Sequence, residues 1–107
     1  MKKIEAVITP LKFDEVKEAL TNAKVPSVTF FEVQGTGSRQ GRIKQYRGIE
    51  YIEDAPEVKF EIIAEDDEAE PVAQIIVGAL RTGDLHDVEV AILPIESMMR
   101  VRLGKCS

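Results

Sequence analysis

The sequence predicts an α+β domain of element order β-α-β-β-α-β, with two helices on one face of a four-stranded antiparallel sheet. Two observations predict it: short runs of alternating apolar residues and two runs with helical spacing, in the order strand, helix, strand, strand, helix, strand. At 107 residues the chain is the size of a single domain, 1–107, with one core and no room for a second.

The first strand spans Lys3 to Thr9, with Ile4, Ala6 and Ile8 on one side and Lys3, Glu5 and Val7 on the other. After Pro10 the period changes. Phe13, Val16, Leu20 and Ala23 recur at helical spacing while Asp14, Glu15, Lys17 and Glu18 face out, an amphipathic helix of roughly three turns that Pro26 is expected to end. Val28 to Gln34 is dense in β-branched and aromatic residues, a second strand. Val58, Phe60, Ile62 and Ala64 alternate with Lys59, Glu61 and Ile63 as a third. The acidic run Glu65-Asp66-Asp67-Glu68-Ala69-Glu70 then suits a helix N-terminus, and Pro71 is expected in the first turn. Val72, Ile75, Ile76, Ala79 and Leu80 give that helix its buried stripe, Thr82-Gly83 closes it, and Val88 to Ile95 is the fourth strand. This is the split βαβ order of ferredoxin-like folds.

Only one face of such a sheet meets helices. Strand two nevertheless has Val28 and Phe30 on one side against Phe31 and Val33 on the other, and strand four sets Val88, Val90 and Ile92 against Ala91 and Leu93. Both faces are therefore expected to be apolar, which implies an oligomer whose uncovered faces pack around a closed axis.

Between strands two and three lies the long stretch 35–57, without an evident pattern of its own. Connections of that length inside a small domain tend to be functional. It contains Tyr46-Arg47-Gly48-Ile49-Glu50-Tyr51, two tyrosines around a basic-glycine turn, which reads as a recognition loop. Its charges are sorted: Arg39, Arg42, Lys44 and Arg47 come first, and Glu50, Glu53, Asp54 and Glu57 follow. Two oppositely charged arms predict a loop that folds back on itself.

The net charge of −5 argues against sequence-independent nucleic-acid binding, which needs a basic face, and against an RNA-binding module. The longest apolar run is too short to span a membrane, and the opening Met1-Lys2-Lys3-Ile4-Glu5 is unlike a signal peptide, so a cytoplasmic protein is expected. The single cysteine, Cys106, excludes an internal disulfide and a multi-cysteine metal site. His86 has no second ligand within reach and reads as a surface turn residue, and Met98 and Met99 read as packing at a subunit edge. No metal site is expected.

Several segments resemble the PII signalling family: Met1 to Ile8, Phe13 to Leu20, Phe31 to Gly37, Tyr46 to Tyr51, Val58 to Ile62, Arg81-Thr82-Gly83 and Met99 to Arg102. They fall in the family's order along nearly the whole chain. The resemblance implies a trimeric, non-enzymatic regulator that binds an adenine nucleotide (ADP, AMP or ATP) between subunits. It also implies a long signalling loop, here 35–57, that docks on a target enzyme or membrane transporter. By the same resemblance the ligand set is Thr29, Gly35, Thr36, Gly37, Ile63, Thr82, Gly83, Asp87, Arg100 and Arg102. The partner-binding set is Arg39, Arg42, Tyr46, Arg47, Ile49 and Tyr51.

This chain departs from the pattern in several places. Ile49 stands where the family has a small residue, so nucleotidylation of Tyr51 is not expected. In Thr82-Gly83-Asp84-Leu85-His86-Asp87-Val88-Glu89 two family glycines are replaced, and Glu89 occupies the place of a lysine. A carboxylate there repels phosphate and shifts preference toward fewer phosphates or a different ligand. Arg39, with Gln40 one place along, and Glu57 replace the glutamine and lysine that hold magnesium and 2-oxoglutarate, so neither is expected to bind. Two alternatives remain on this topology. One is a trimeric protein that handles divalent metal, with Glu53-Asp54 as weak ligands. The other is a small acyl-phosphate hydrolase, for which the cradle Gly35-Thr36-Gly37-Ser38 lacks a partnered base.

Overall fold

The alternation of the sequence translates directly into register. In the computed structural model, which describes residues 1–36, 42–81 and 89–104, β1 (Lys2–Ile8) lies between β5 (Ala55–Ala64) and β6 (Val90–Pro94), and β2 (Thr29–Gly35) is added outside β5. The order β2-β5-β1-β6 is antiparallel throughout, with Ile4 opposite Ile62 and Ile92, and Phe30 opposite Phe60. With α1 (Phe13–Asn22) and α2 (Asp66–Leu80), this is the ferredoxin-like α+β fold.

The helices cover the face carrying Ile4, Ala6 and Ile8 of β1 and Val58, Phe60, Ile62 and Ala64 of β5. Val16 and Leu20 of α1 and Ala69, Val72, Ala73, Ile76 and Leu80 of α2 complete the buried cluster. Phe60 is fully buried and meets Phe13 at 5.7 Å and Phe30 at 5.8 Å between ring centroids. Burying a side chain of this size stabilises the fold by about 2–3 kcal/mol.

Local chemistry sets the helix ends differently from the sequence expectation. α1 ends at Asn22, well before Pro26: Lys24, just past the cap, takes φ 60°, its N–H donates to the Thr21 carbonyl, and the Val25 N–H donates to the Leu20 carbonyl. That pair of bonds is a Schellman motif with lysine in the left-handed position usually held by glycine. α2 begins earlier than expected, so Pro71 lies inside it rather than in its first turn. Pro71 is exposed, and its missing N–H leaves the Asp67 carbonyl without its helical donor at a position open to water. The acidic first turn, Asp66, Asp67 and Glu68, complements the helix dipole as expected.

The stretch after β2 is not patternless. β3 (Arg42–Tyr46) and β4 (Ile49–Glu53) form a separate two-stranded hairpin, and β5 starts at Ala55 rather than Val58. The turn is Arg47-Gly48, with φ of 53° and 80°, the two left-handed residues of a type I′ hairpin turn. Its register sets Arg42 opposite Glu53 and Tyr46 opposite Ile49, so the basic and acidic arms do lie side by side.

The uncovered sheet face is not uniformly apolar. Its centre is ionic: Lys3 Nζ lies 2.7 Å from Glu61 and 3.0 Å from Glu5, and Lys59 Nζ lies 3.6 Å from Glu5 and 3.9 Å from Glu61. Glu5 stands directly across from Glu61, a like-charge pairing that would destabilise the sheet were the two lysines not set diagonally between them. Around this neutral grid lie half-exposed Val7, Phe31, Ile63 and Leu93, the apolar part of the expectation.

Candidate ligand-binding site

Strand register distributes the expected ligand residues between the two ends of the sheet. Thr29 and Gly35 are the first and last residues of β2, separated by about 20 Å at about 3.3 Å per residue. Thr29 lies opposite Glu61, near the end of β5, while Gly35 lies opposite Ala55, at its start.

At the Thr29 end there is a groove of about 750 Å³. Thr29, Glu61 and Ile63 form its floor on the sheet, Glu65, Glu68, Pro71 and Val72 of the β5–α2 junction one wall, and Lys24 to Ser27 another. Met98 and Arg100, on the irregular tail after β6, line it as well. The structure thus brings together three of the expected residues, Thr29, Ile63 and Arg100. Arg102 is exposed on the same tail.

The composition of the groove defines what it can hold. Ile63 offers an apolar wall, Thr29 a hydroxyl that donates or accepts, Glu61 a carboxylate acceptor, and Lys24 and Arg100 cations. A flat heteroaromatic ring bearing an amine and an anionic tail matches that set. Glu61 and Lys24 were not anticipated. The signal for Glu61 was present in the alternation, which sets it two residues before Ile63 on the same face of the strand; only the pairing with β2 shows that it stands across from Thr29.

Glu61 is also a member of the ionic grid. Its bond to Lys3, with that of Glu5 second, holds the Lys3 ammonium above the ordinary lysine range. The Lys3 hydrogen bond likewise holds the Glu5 carboxyl below the ordinary glutamate range.

The Gly35 end is organised differently. Gly35 closes β2 as ordinary strand, Thr36 follows it exposed, and Glu57 on β5 sits across from Val33. Partial burial pushes the Glu57 carboxyl up. Glu89 is exposed just before β6. Gly37, Arg39, Gln40, Thr82, Gly83, Asp87, His86, Val88 and Cys106 lie outside the described residues.

Of the expected recognition residues, Arg42 and Tyr46 fall on β3, Tyr51 on β4, and Arg47 at the turn. The register pairs Tyr46 with Ile49 and Lys44 with Tyr51. Ile49 is 69% exposed. Among the described residues no group of three histidine, cysteine or carboxylate side chains is placed to hold a metal ion, and no helix is long and apolar enough to cross a membrane.

A family profile described as Nitrogen regulatory protein P-II matches residues 1–105. The chain belongs to the P-II family. Proteins of that description from Microchaete diplosiphon, Cereibacter sphaeroides and Azospirillum brasilense are 43%, 44% and 42% identical to it over 106 residues, covering 98% of this chain and 95% of each relative. It is accordingly a PII-like signalling and regulatory protein, rather than a member of the metal-handling or hydrolase classes that share the topology. P-II proteins are typically trimers with a long signalling loop, and the family binds adenine nucleotides and 2-oxoglutarate. In this chain the β3–β4 hairpin lies within residues 35–57.

Proposed function

We propose that this P-II protein acts as a cytoplasmic homotrimer that binds an adenine nucleotide between subunits and passes its occupancy to a target enzyme or transporter through residues 35–57. It acts by binding and catalyses no reaction. The observation that carries the reading is the separation of the ligand set: Thr29, Ile63 and Arg100 meet at one end of the sheet, about 20 Å of strand from Gly35 and Thr36 at the other. One molecule cannot contact both groups with one nucleotide. A head-to-tail ring, in which one subunit's groove meets the next subunit's Gly35 end, joins them. Half-exposed Phe31, Ile63, Val7 and Leu93 supply the apolar surface for that contact.

The ligand set proposed from the family resemblance further includes Gly37, Thr82, Gly83 and Asp87, and Arg102 joins Arg100 in neutralising phosphate. Glu89 and Glu57 put carboxylates near the phosphate end, which favours ADP or AMP over ATP and disfavours 2-oxoglutarate with magnesium. Arg39, Arg42, Tyr46, Arg47, Ile49 and Tyr51 are the residues through which the protein docks, with Tyr51 unmodified.

Sedimentation and a thermal-shift series with AMP, ADP, ATP and 2-oxoglutarate test this. A trimer is expected, and an adenine nucleotide present at 100 times its Kd should stabilise the native state by about 2.7 kcal/mol. Replacing Arg100 with alanine should abolish most of that shift without altering the sedimentation coefficient. A stable single-copy species, or no shift with any adenine nucleotide, would refute the reading.

A further inference from the structure

The groove and the ionic grid share one residue. Glu61 lines the groove across from Thr29, and its carboxylate is held at 2.7 Å by Lys3, with Lys59 farther off at 3.9 Å and beyond hydrogen-bond distance. β5 lies between β2 and β1, so Glu61 stands at the border where the grid ends and the groove begins. The grid is neutral as built, two lysines against two glutamates. Without Lys3 it would carry one uncompensated negative charge, and Glu5 and Glu61, directly opposed, would repel across the strands.

We infer that Lys3 is a positioning residue for ligand selectivity: by holding the Glu61 carboxylate in one orientation, it makes that group a fixed acceptor for an amino-substituted nucleobase in the groove. This rests on the nucleotide reading given above.

The chemistry follows from donor and acceptor inventories. An ionised carboxylate only accepts hydrogen bonds. It therefore favours a ring edge bearing an exocyclic amine and rejects one bearing a carbonyl oxygen at the same place, because two acceptors left facing each other remain unsatisfied. Discrimination of this kind needs the acceptor fixed. A long glutamate side chain free to rotate pays back part of the difference by turning away from the wrong base. Lys3 removes that freedom, with a short charge-assisted bond from a side chain that is itself only 33% exposed. Lys59, at 3.9 Å, is too distant to substitute. The surplus affinity expected from one fixed charged acceptor is about tenfold or more.

The test is calorimetric titration of the assembled protein with ADP and with inosine 5′-diphosphate, which differ at the edge in question. The wild-type protein should prefer ADP by about tenfold or more. Lys3→Met should bring the two affinities within about twofold, and Lys3→Arg should restore the preference, since guanidinium keeps the charged bond to Glu61. Should Lys3→Met fail to fold, Lys3→Met with Glu5→Gln returns the grid to neutrality, and the same loss of preference is expected from it. A Lys3→Met protein that weakens for both ligands equally would show a merely structural lysine and overturn the inference. So would a wild-type protein that binds ADP and the inosine nucleotide alike, although it would leave the nucleotide reading standing. A wild-type protein that binds neither defeats both.

Discussion

β4 and β5 follow one another in the chain with only Asp54 between them, yet they are held by different physics. β5 is paired on both sides and packs Val58, Phe60, Ile62 and Ala64 under two helices. β4 pairs with β3 in a sheet of two strands. A hairpin of that kind is marginal alone in water, and each cross-strand pair adds only about 0.2–1 kcal/mol. Stability therefore resides in the four-stranded sheet, while the hairpin is cheap to rearrange. The comparison yields opposite expectations for substitutions in the two regions.

The largest effect is expected in the sheet. Phe60→Ala removes the aromatic at the centre of the Phe13–Phe30–Phe60 cluster and should cost about 3–5 kcal/mol, a large share of the about 5–15 kcal/mol available to a domain. The urea midpoint should fall with it. A midpoint unchanged by Phe60→Ala would mean that the cluster does not carry the fold.

A smaller and confined effect is expected at the turn. Gly48 has φ 80° with nothing within 4 Å of an added Cβ, so Gly48→Val introduces backbone strain without a clash. The left-handed region costs a non-glycine residue about 1–2 kcal/mol, enough to open a marginal hairpin. Cross-strand backbone NOEs between Tyr46 and Ile49 should disappear while the urea midpoint stays within about 0.5 kcal/mol of the wild type. A global loss of stability would instead show that the hairpin is part of the cooperative core.

The same division explains what could be read from the sequence. Residues whose environment is set within a few positions were legible: the alternation of β1 and β5, the stripe of α2 and the acidic start of that helix all stand where the pattern placed them. The hairpin was harder. Its ends are fixed by Arg47 in the left-handed region, a conformation that arginine does not advertise, although Gly48 and the sorting of charge between the arms were visible. The Schellman end at Lys24 escaped for the same reason, and Pro71 misled because proline prefers a first turn but tolerates an exposed second one. In the groove, Thr29, Ile63 and Arg100 had been singled out from the sequence and Glu61 had not, since a residue's partner across a sheet depends on register between segments distant in sequence.

The smallest effects concern pH, and they set the centre of the open sheet face against its hairpin end. Glu5 belongs to the grid, and its Lys3 hydrogen bond depresses its pKa below the ordinary 4.5. Its contribution to stability is therefore present above 4.5 and is lost as pH falls through the lower folded value. Glu57, at the root of the hairpin, is raised above 4.5 by burial. Its contribution has the opposite sense: fully present below 4.5, it is lost as pH rises through the higher folded value, because the ionised form is the one burial disfavours. Urea midpoints followed from about pH 3 to about pH 8, a range spanning both carboxyl titrations, should separate the two. Glu5→Gln should flatten the acid limb and lower stability at neutral pH, where the grid loses a charge that Lys3 and Lys59 need. Glu57→Gln should raise stability at neutral pH and leave the acid limb in place, since the amide keeps the shape of the side chain without a charge to bury. Both groups are substantially solvated, so the shifts should be small but of opposite sign. If both variants moved the neutral-pH midpoint in the same direction, the distinction between a paired carboxylate in the sheet and an unpaired one at the hairpin root would fail.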